Sequence, residues 1–146
     1  MKKSASGSTA ESSLPSSVSR IRVRYGETDA MGWVYYGNYY LYFEVGRSDL
    51  IRSIWKSYRT MEEEGRRLPV TESHCKYIKG VQYEDEIEVH TRISFLSVYR
   101  MRFDYEIKTV ARGETAAVGY TLHCFVDEDG KPIRIPEDLY STLNGS

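Results

Sequence analysis

"ETDAMGWVYYGNYYLYFEVGR", residues Glu27 to Arg47, passes from a polar loop through a glycine into a run that holds five tyrosines. Its second half sets the fold class. From about Tyr36 or Asn38 to Tyr58, apolar residues recur at steps of three or four. Tyr39, Phe43, Gly46, Leu50 and Ile54 form one stripe, while Glu44, Arg47, Asp49, Arg52 and Lys56 fall outside it, the pattern of a long amphipathic helix. Gly46 lies in the middle of the stripe, where a missing side chain would let the helix approach another element closely. Upstream, Gly26 to Gly32 form a loop, and Ile21, Val23 and Tyr25 alternate with Arg22 and Arg24 as a short half-buried strand.

Downstream the period changes to two. Thr60 to Arg67 is a short helical turn, and Leu68 to Lys79 a less regular strand. Ile87, Val89, Thr91, Ile93 and Phe95 then alternate with charged and polar residues. Tyr99, Met101, Phe103, Tyr105 and Ile107 do the same, so the two runs form a hairpin turning around Leu96 to Val98. After a turn at Arg112-Gly113, a further strand from about Glu114 to Val126 places Ala116, Val118, Tyr120, Leu122, Cys124 and Val126 on one face. "DEDGKP", from Asp127, is a turn, and "IRIPEDLYSTL" closes the chain with a short strand and a helical turn. One helix cannot supply the crossovers of a wound parallel sheet, so the class is α+β, an antiparallel sheet wrapped around one central helix.

Composition bounds the function. The 146 residues suit one domain with a sizeable core. Twenty Lys and Arg against 21 Asp and Glu leave a formal charge of −1, which argues against a general nucleic-acid or membrane-surface role. Thirteen tyrosines, each a large ring with a polar tip, suit half-buried sheet faces and small-molecule clefts. Cys75 and Cys124 are too few for a disulfide framework. No signal peptide and no membrane span are apparent, so a soluble, cytoplasmic protein is expected. Residues 1–19, rich in Ser, Ala and Gly, cannot offset their ordering entropy and are expected to be a disordered tail, leaving 20–146 as the domain.

"RYGETDAMGWVYYGNYYLYFEVGR", from Arg24, resembles the amino-terminal signature of hotdog-fold acyl-CoA thioesterases. It is most similar to the 4-hydroxybenzoyl-CoA thioesterases and the group associated with the bacterial Tol-Pal system, over roughly residues 20–140. The resemblance implies that Asp29 is the nucleophile or general base, and that the backbone N–H of Tyr36, at the helix start, polarises the thioester carbonyl. Gly32 and Asn38 match residues shaping the loop and helix entrance, and Glu44 an acidic helix position with a supporting role. Trp33, Val34 and Tyr35 fall at the acyl pocket, and Trp33 and Tyr36 are departures from the residues common in relatives. Where the 4-hydroxybenzoyl-CoA enzymes carry basic residues for the phosphates of coenzyme A, "SVYR" from Ser97 retains only Arg100. That leaves open a different hold on coenzyme A, or an acyl carrier protein as the carrier. No cofactor is implied beyond the coenzyme A of the substrate, and the family's shared clefts imply a homodimer or homotetramer.

The chemistry needs these residue types. A thioester carbonyl is already electrophilic, so hydrolysis asks mainly for an attacking group and stabilisation of the oxyanion. A helix amino terminus supplies unpaired N–H donors and a partial positive charge of about half a unit. Such preorganised donors are often the largest catalytic contribution, and a carboxylate either attacks directly or activates water. From position alone, Asp29 also suits a cap or turn. His74-Cys75 and His123-Cys124 suggest zinc, but neighbours along a strand point to opposite faces, so each pair offers one ligand to a site that needs three or four. A Cys–His nucleophile is disfavoured because both cysteines read as buried strand residues. His90 reads as a solvated strand residue, and "EEEGRR", from Glu62, as a solvated helix end.

Overall fold

The computed structural model describes residues 14–144. In chain order it contains β1 (Ser16–Arg22), a 3-10 turn (Tyr25–Glu27), α1 (Asn38–Ile54), α2 (Tyr58–Glu63), β2 (Val70–Tyr77), β3 (Glu86–Leu96), β4 (Arg100–Thr109), β5 (Thr115–Cys124) and α3 (Glu137–Leu143). The strands form one sheet in the order β1-β3-β4-β5-β2, antiparallel at every pairing. The sheet wraps α1 as the hotdog fold does. Among the described residues, no helix is long and apolar enough to cross a membrane.

The helix stripe packs as its spacing requires. Tyr39, Tyr42, Phe43, Gly46, Leu50 and Ile51 are buried. Full burial of Phe43 or Leu50 contributes about 2 kcal/mol each. Gly46 lets α1 cross β3 closely: a Cβ there would overlap Thr91 Oγ1 and lie 2.9 Å from Val89 Cγ1. The helix stops at Ile54 rather than Tyr58, because Trp55 leaves helical geometry (φ −146°, ψ −98°) and Ser57 starts α2, its hydroxyl accepting from the Thr60 N–H at 3.1 Å.

Three expectations need correction. The first strand begins at Ser16, so residues 16–19, expected in the tail, are in the sheet; residues 1–13 lie outside the described residues. Strand pairing with β3 uses main-chain groups that serine carries as well as valine does, and the buried Ser19 hydroxyl donates to Asp49 Oδ2 at 2.6 Å. Ser19, half-buried Ile21 and buried Val23 form the inward series, and Tyr25, in the 3-10 turn, is exposed. Second, Phe95 points outward, because a register shift between Ile93 and Phe95 reverses the alternation. Third, the inward face of β5 is Ala117, Gly119, Thr121 and His123, not the Val118, Tyr120, Leu122 and Cys124 series.

The inversion of β5 has a physical cause in paired polar groups. Thr121 Oγ1 meets Tyr105 Oη at 2.6 Å and His123 Nε2 at 2.8 Å, and His123 Nδ1 lies 3.1 Å from the Leu68 carbonyl. Arg47 Nη1 reaches Tyr105 Oη at 3.5 Å. Burial, helped by the Arg47 charge, pushes the His123 pKa down to about 4, so its ring is neutral. On the outer face the Arg102 guanidinium lies 3.9 Å above the Tyr120 ring and shields it.

Candidate active site

The chain between β1 and α1 is held by backbone hydrogen bonds at both ends. Thr28 and Val34 form an antiparallel bridge, and Trp33 bridges Gln82. Within the loop, Asp29 N–H donates to Trp33 O at 2.7 Å and Gly32 N–H to Asp29 O at 3.0 Å. Gly32 has φ +88°, a conformation that favours glycine, so the tight return of the loop depends on it. Val34 N–H donates to Val81 O at 2.7 Å, tying the loop to the segment after β2.

Asp29 is half-buried and oriented by its own loop. Its Oδ1 accepts from Met31 N–H at 2.9 Å and, at longer range, from Trp33 N–H at 3.3 Å. Its Oδ2 has no hydrogen bond among the described residues. One oxygen is held by the loop amides, which fixes the orientation of the carboxylate.

Glu27 organises the helix entrance. Its carbonyl accepts from Tyr35 N–H and from Asn38 Nδ2, both at 2.9 Å. Its carboxylate receives Tyr42 Oη at 2.8 Å and the Arg24 guanidinium at 2.8 Å. Burial alone would raise the Glu27 pKa, but hydrogen bonds from the Arg24 backbone and side chain and from Tyr42 outweigh it and hold the carboxyl below its usual range. Sequence patterning missed Glu27. The only signal was an acidic residue three positions after Arg24 at a loop edge.

At the start of α1, Asn38 N–H donates to Tyr35 O at 2.9 Å and Tyr39 N–H to Tyr36 O at 3.2 Å. The N–H groups of Tyr36 and Gly37 have no acceptor among the described residues. Gly37 is the N-cap of the 17-residue helix and Tyr36 the residue before it, so both amides lie at the helix's positive end. Tyr77, at the end of β2, donates its hydroxyl to Tyr36 O at 3.2 Å and packs edge-on against Tyr39, ring centroids 5.0 Å apart.

These elements enclose a shallow cavity of about 290 Å³, walled by Asp29, Trp33, Val34, Tyr36, Tyr39 and Tyr77. Trp33 rests on Gly80, where a Cβ would overlap its ring. Of the other residues singled out in the sequence, Gly32 shapes the loop and Asn38 braces it to Glu27. Tyr35 is about half exposed and packs on Tyr36, centroids 4.8 Å apart. Glu44 lies on the solvent side of α1, and Arg100 borders a separate basin with Ser94, Phe95, Arg102 and Leu122; neither walls the cavity of Asp29. Tyr39 and Tyr77 were not singled out individually as cavity walls. The tyrosine-rich run contained Tyr39, but only the fold brings Tyr77 beside it.

A carboxylate and the open end of a helix on one aromatic cavity, within a hotdog fold, are features of a thioester-handling domain. Residues 23–143 match the thioesterase-like superfamily, and the chain belongs to that family. A Bacillus subtilis (strain 168) protein named "Putative acyl-CoA thioesterase YneP" is 37% identical over 115 residues, which cover 78% of this chain and 83% of the relative. The acyl-CoA thioester hydrolase YbgC of Escherichia coli O157:H7 is 28% identical over 119 residues, covering 82% and 89%. The crystal structure of DHNA-CoA thioesterase from Staphylococcus aureus superposes with a TM-score of 0.84 at 37% identity, covering 87% of each chain.

Proposed function

We propose that this chain hydrolyses acyl-CoA thioesters to a carboxylic acid and free coenzyme A, with Asp29 as nucleophile or general base. The observation that carries this reading is that Asp29 and Tyr36 wall one cavity, with one Asp29 oxygen and the Tyr36 amide unbonded among the described residues. The names of the relatives at 37% and 28% identity support the same activity.

By the general-base route, Asp29 takes a proton from water as its oxygen attacks the carbonyl carbon. The C=O electron pair moves to oxygen, where the Tyr36 N–H stabilises it. Collapse expels the thiolate, which receives the proton from Asp29. By the nucleophilic route, Asp29 attacks first, the thiolate leaves, and water cleaves the mixed anhydride. The same two groups serve either route. The tyrosine walls and Trp33 lower local water access and receive the acyl group.

A second copy of the chain completes the site in this proposal. Among the described residues β2 has one neighbour in the sheet, and exposed Val70, Tyr77 and Ile78 lie along or just beyond it. Light scattering is expected to report a dimer or tetramer; a strictly monomeric active enzyme contradicts the shared site. The activity itself is tested by thiol release from a panel of acyl-CoAs of different chain length and of aryl-CoAs. Turnover of at least one member is expected, and release from none overturns the proposal.

A further inference from the structure

Beside the cavity of Asp29 lies a second basin of about 520 Å³. The two share Trp33, Ile78, Lys79 and Gly80, so they adjoin, with these four residues as their common wall. The far end is charged. Its ionisable walls are Lys79, Arg112 and Glu114, a net of one positive charge.

The backbone fixes this grouping. Ile78 and Lys79 N–H both donate to the Ala116 carbonyl, at 2.8 and 3.0 Å, pinning the segment after β2 to the start of β5. The β4–β5 turn is closed by Gly113 N–H donating to Thr109 O at 2.8 Å, which brings Arg112 to the same edge. Arg112 Nε donates to Glu114 Oε1 at 2.9 Å and Lys79 Nζ to Glu114 Oε2 at 3.4 Å. Two cations thus share one carboxylate. In the single chain the Lys79, Arg112 and Glu114 side chains are 56%, 47% and 37% exposed, within reach of an incoming anion.

We propose that Lys79 and Arg112 hold a phosphate of the thiol carrier, displacing Glu114, while the thioester lies beyond Trp33 at Asp29. This rests on the thioesterase reading. The guanidinium offers a fork suited to two phosphate oxygens, and the ammonium adds a point charge. Glu114 holds both cations in place before the ligand arrives and competes with it afterwards. Arg100, on a different basin, is not needed for this contact. A phosphate on pantetheine is common to coenzyme A and to acyl carrier protein, so the chemistry is shared by both carriers.

The test compares one acyl group on coenzyme A, on phosphopantetheine, on acyl carrier protein and on N-acetylcysteamine, which has no phosphate. For the Lys79→Gln/Arg112→Gln double variant, the loss in kcat/KM on the coenzyme A ester is expected to exceed that on the N-acetylcysteamine ester by about tenfold, the scale of lost hydrogen bonds to a charged group. The loss is carried by KM. Glu114→Gln is expected to move KM for the coenzyme A ester the opposite way, a change that a merely structural role would not produce. Equal losses on phosphorylated and unphosphorylated esters, in variants with unchanged melting temperature, overturn the proposal. The carrier on which the difference is larger identifies the source of the phosphate. Should the wild-type protein cleave none of these esters, the thioesterase reading fails by itself. Calorimetric titration with pyrophosphate then decides the site: binding weakened in the double variant upholds it, and no binding or unchanged binding overturns it.

Discussion

The loop before the central helix and the sheet face packed against it treat polar groups in opposite ways. In the loop, among the described residues, Asp29 has one oxygen without a hydrogen bond and the Tyr36 amide has no acceptor, and both residues wall one cavity open to solvent. On the inward face of the sheet, Tyr105, Thr121 and His123 are buried and bonded to one another and to the Leu68 carbonyl. Groups left open at a mouth are available for chemistry. Groups satisfied in the interior specify packing. Substitutions in the sealed interior should therefore cost stability, and substitutions at the mouth should cost turnover.

The largest expected effect on folding is in the sealed interior. Phe43 is fully buried and stacks on Tyr105 with centroids 4.2 Å apart. Phe43→Ala should destabilise by about 3–5 kcal/mol in chemical denaturation. A loss below about 1 kcal/mol would mean that the helix is not seated as described.

The next effect is on pH dependence. The folded pKa of His123 is depressed, to about 4 from 6.5, chiefly by burial. Between these values the unfolded chain binds the extra proton, so the stability contributed by His123 is full above about pH 6.5 and lost as pH falls towards 4. From pH 6.5 to 5 the loss should be about 2 kcal/mol. His123→Gln should flatten that slope. Glu27 acts in a lower window: its depressed pKa contributes stability above about pH 4.5, lost as pH falls through the folded value. A wild-type protein with flat stability from pH 6.5 to 5 would place a charged or exposed histidine where a neutral buried one is described.

The smallest stability effect is expected at the mouth. Trp33 is 41% exposed and rests on Gly80, so Trp33→Ala should cost only about 1 kcal/mol. Turnover is the sensitive readout there: kcat/KM should fall by about tenfold, the scale of one apolar pocket contact. A large drop in melting temperature with normal kcat/KM would reverse the assignment of this region.

Legibility in the sequence followed the same division. The helix, its stripe and the close approach at Gly46 were visible because one face of α1 meets an apolar sheet. Asp29 and Gly32 stood out through turn chemistry and a family pattern, and they do lie together in one loop. The inward face of β5 was misassigned because Thr121 and His123 satisfy each other out of water, which hydrophobic alternation cannot register. Residues 16–19 looked like tail because main-chain pairing leaves no side-chain signature. The bulge that turns Phe95 outward is likewise a backbone event. Glu27 was missed for a related reason, since half of its work is done by its carbonyl.

The central claim is that Asp29 supplies the reactive oxygen at the mouth. Asn keeps an oxygen able to accept from Met31 N–H and is a comparable turn residue, so Asp29→Asn leaves the loop its main contact while removing the negative charge. The measurement is steady-state thioester hydrolysis by the purified variant, beside its melting temperature and its binding of a nonhydrolysable analogue. Turnover should fall by about two or more orders of magnitude, with melting temperature and binding little changed. Near-normal turnover in a folded Asp29→Asn protein would contradict the account.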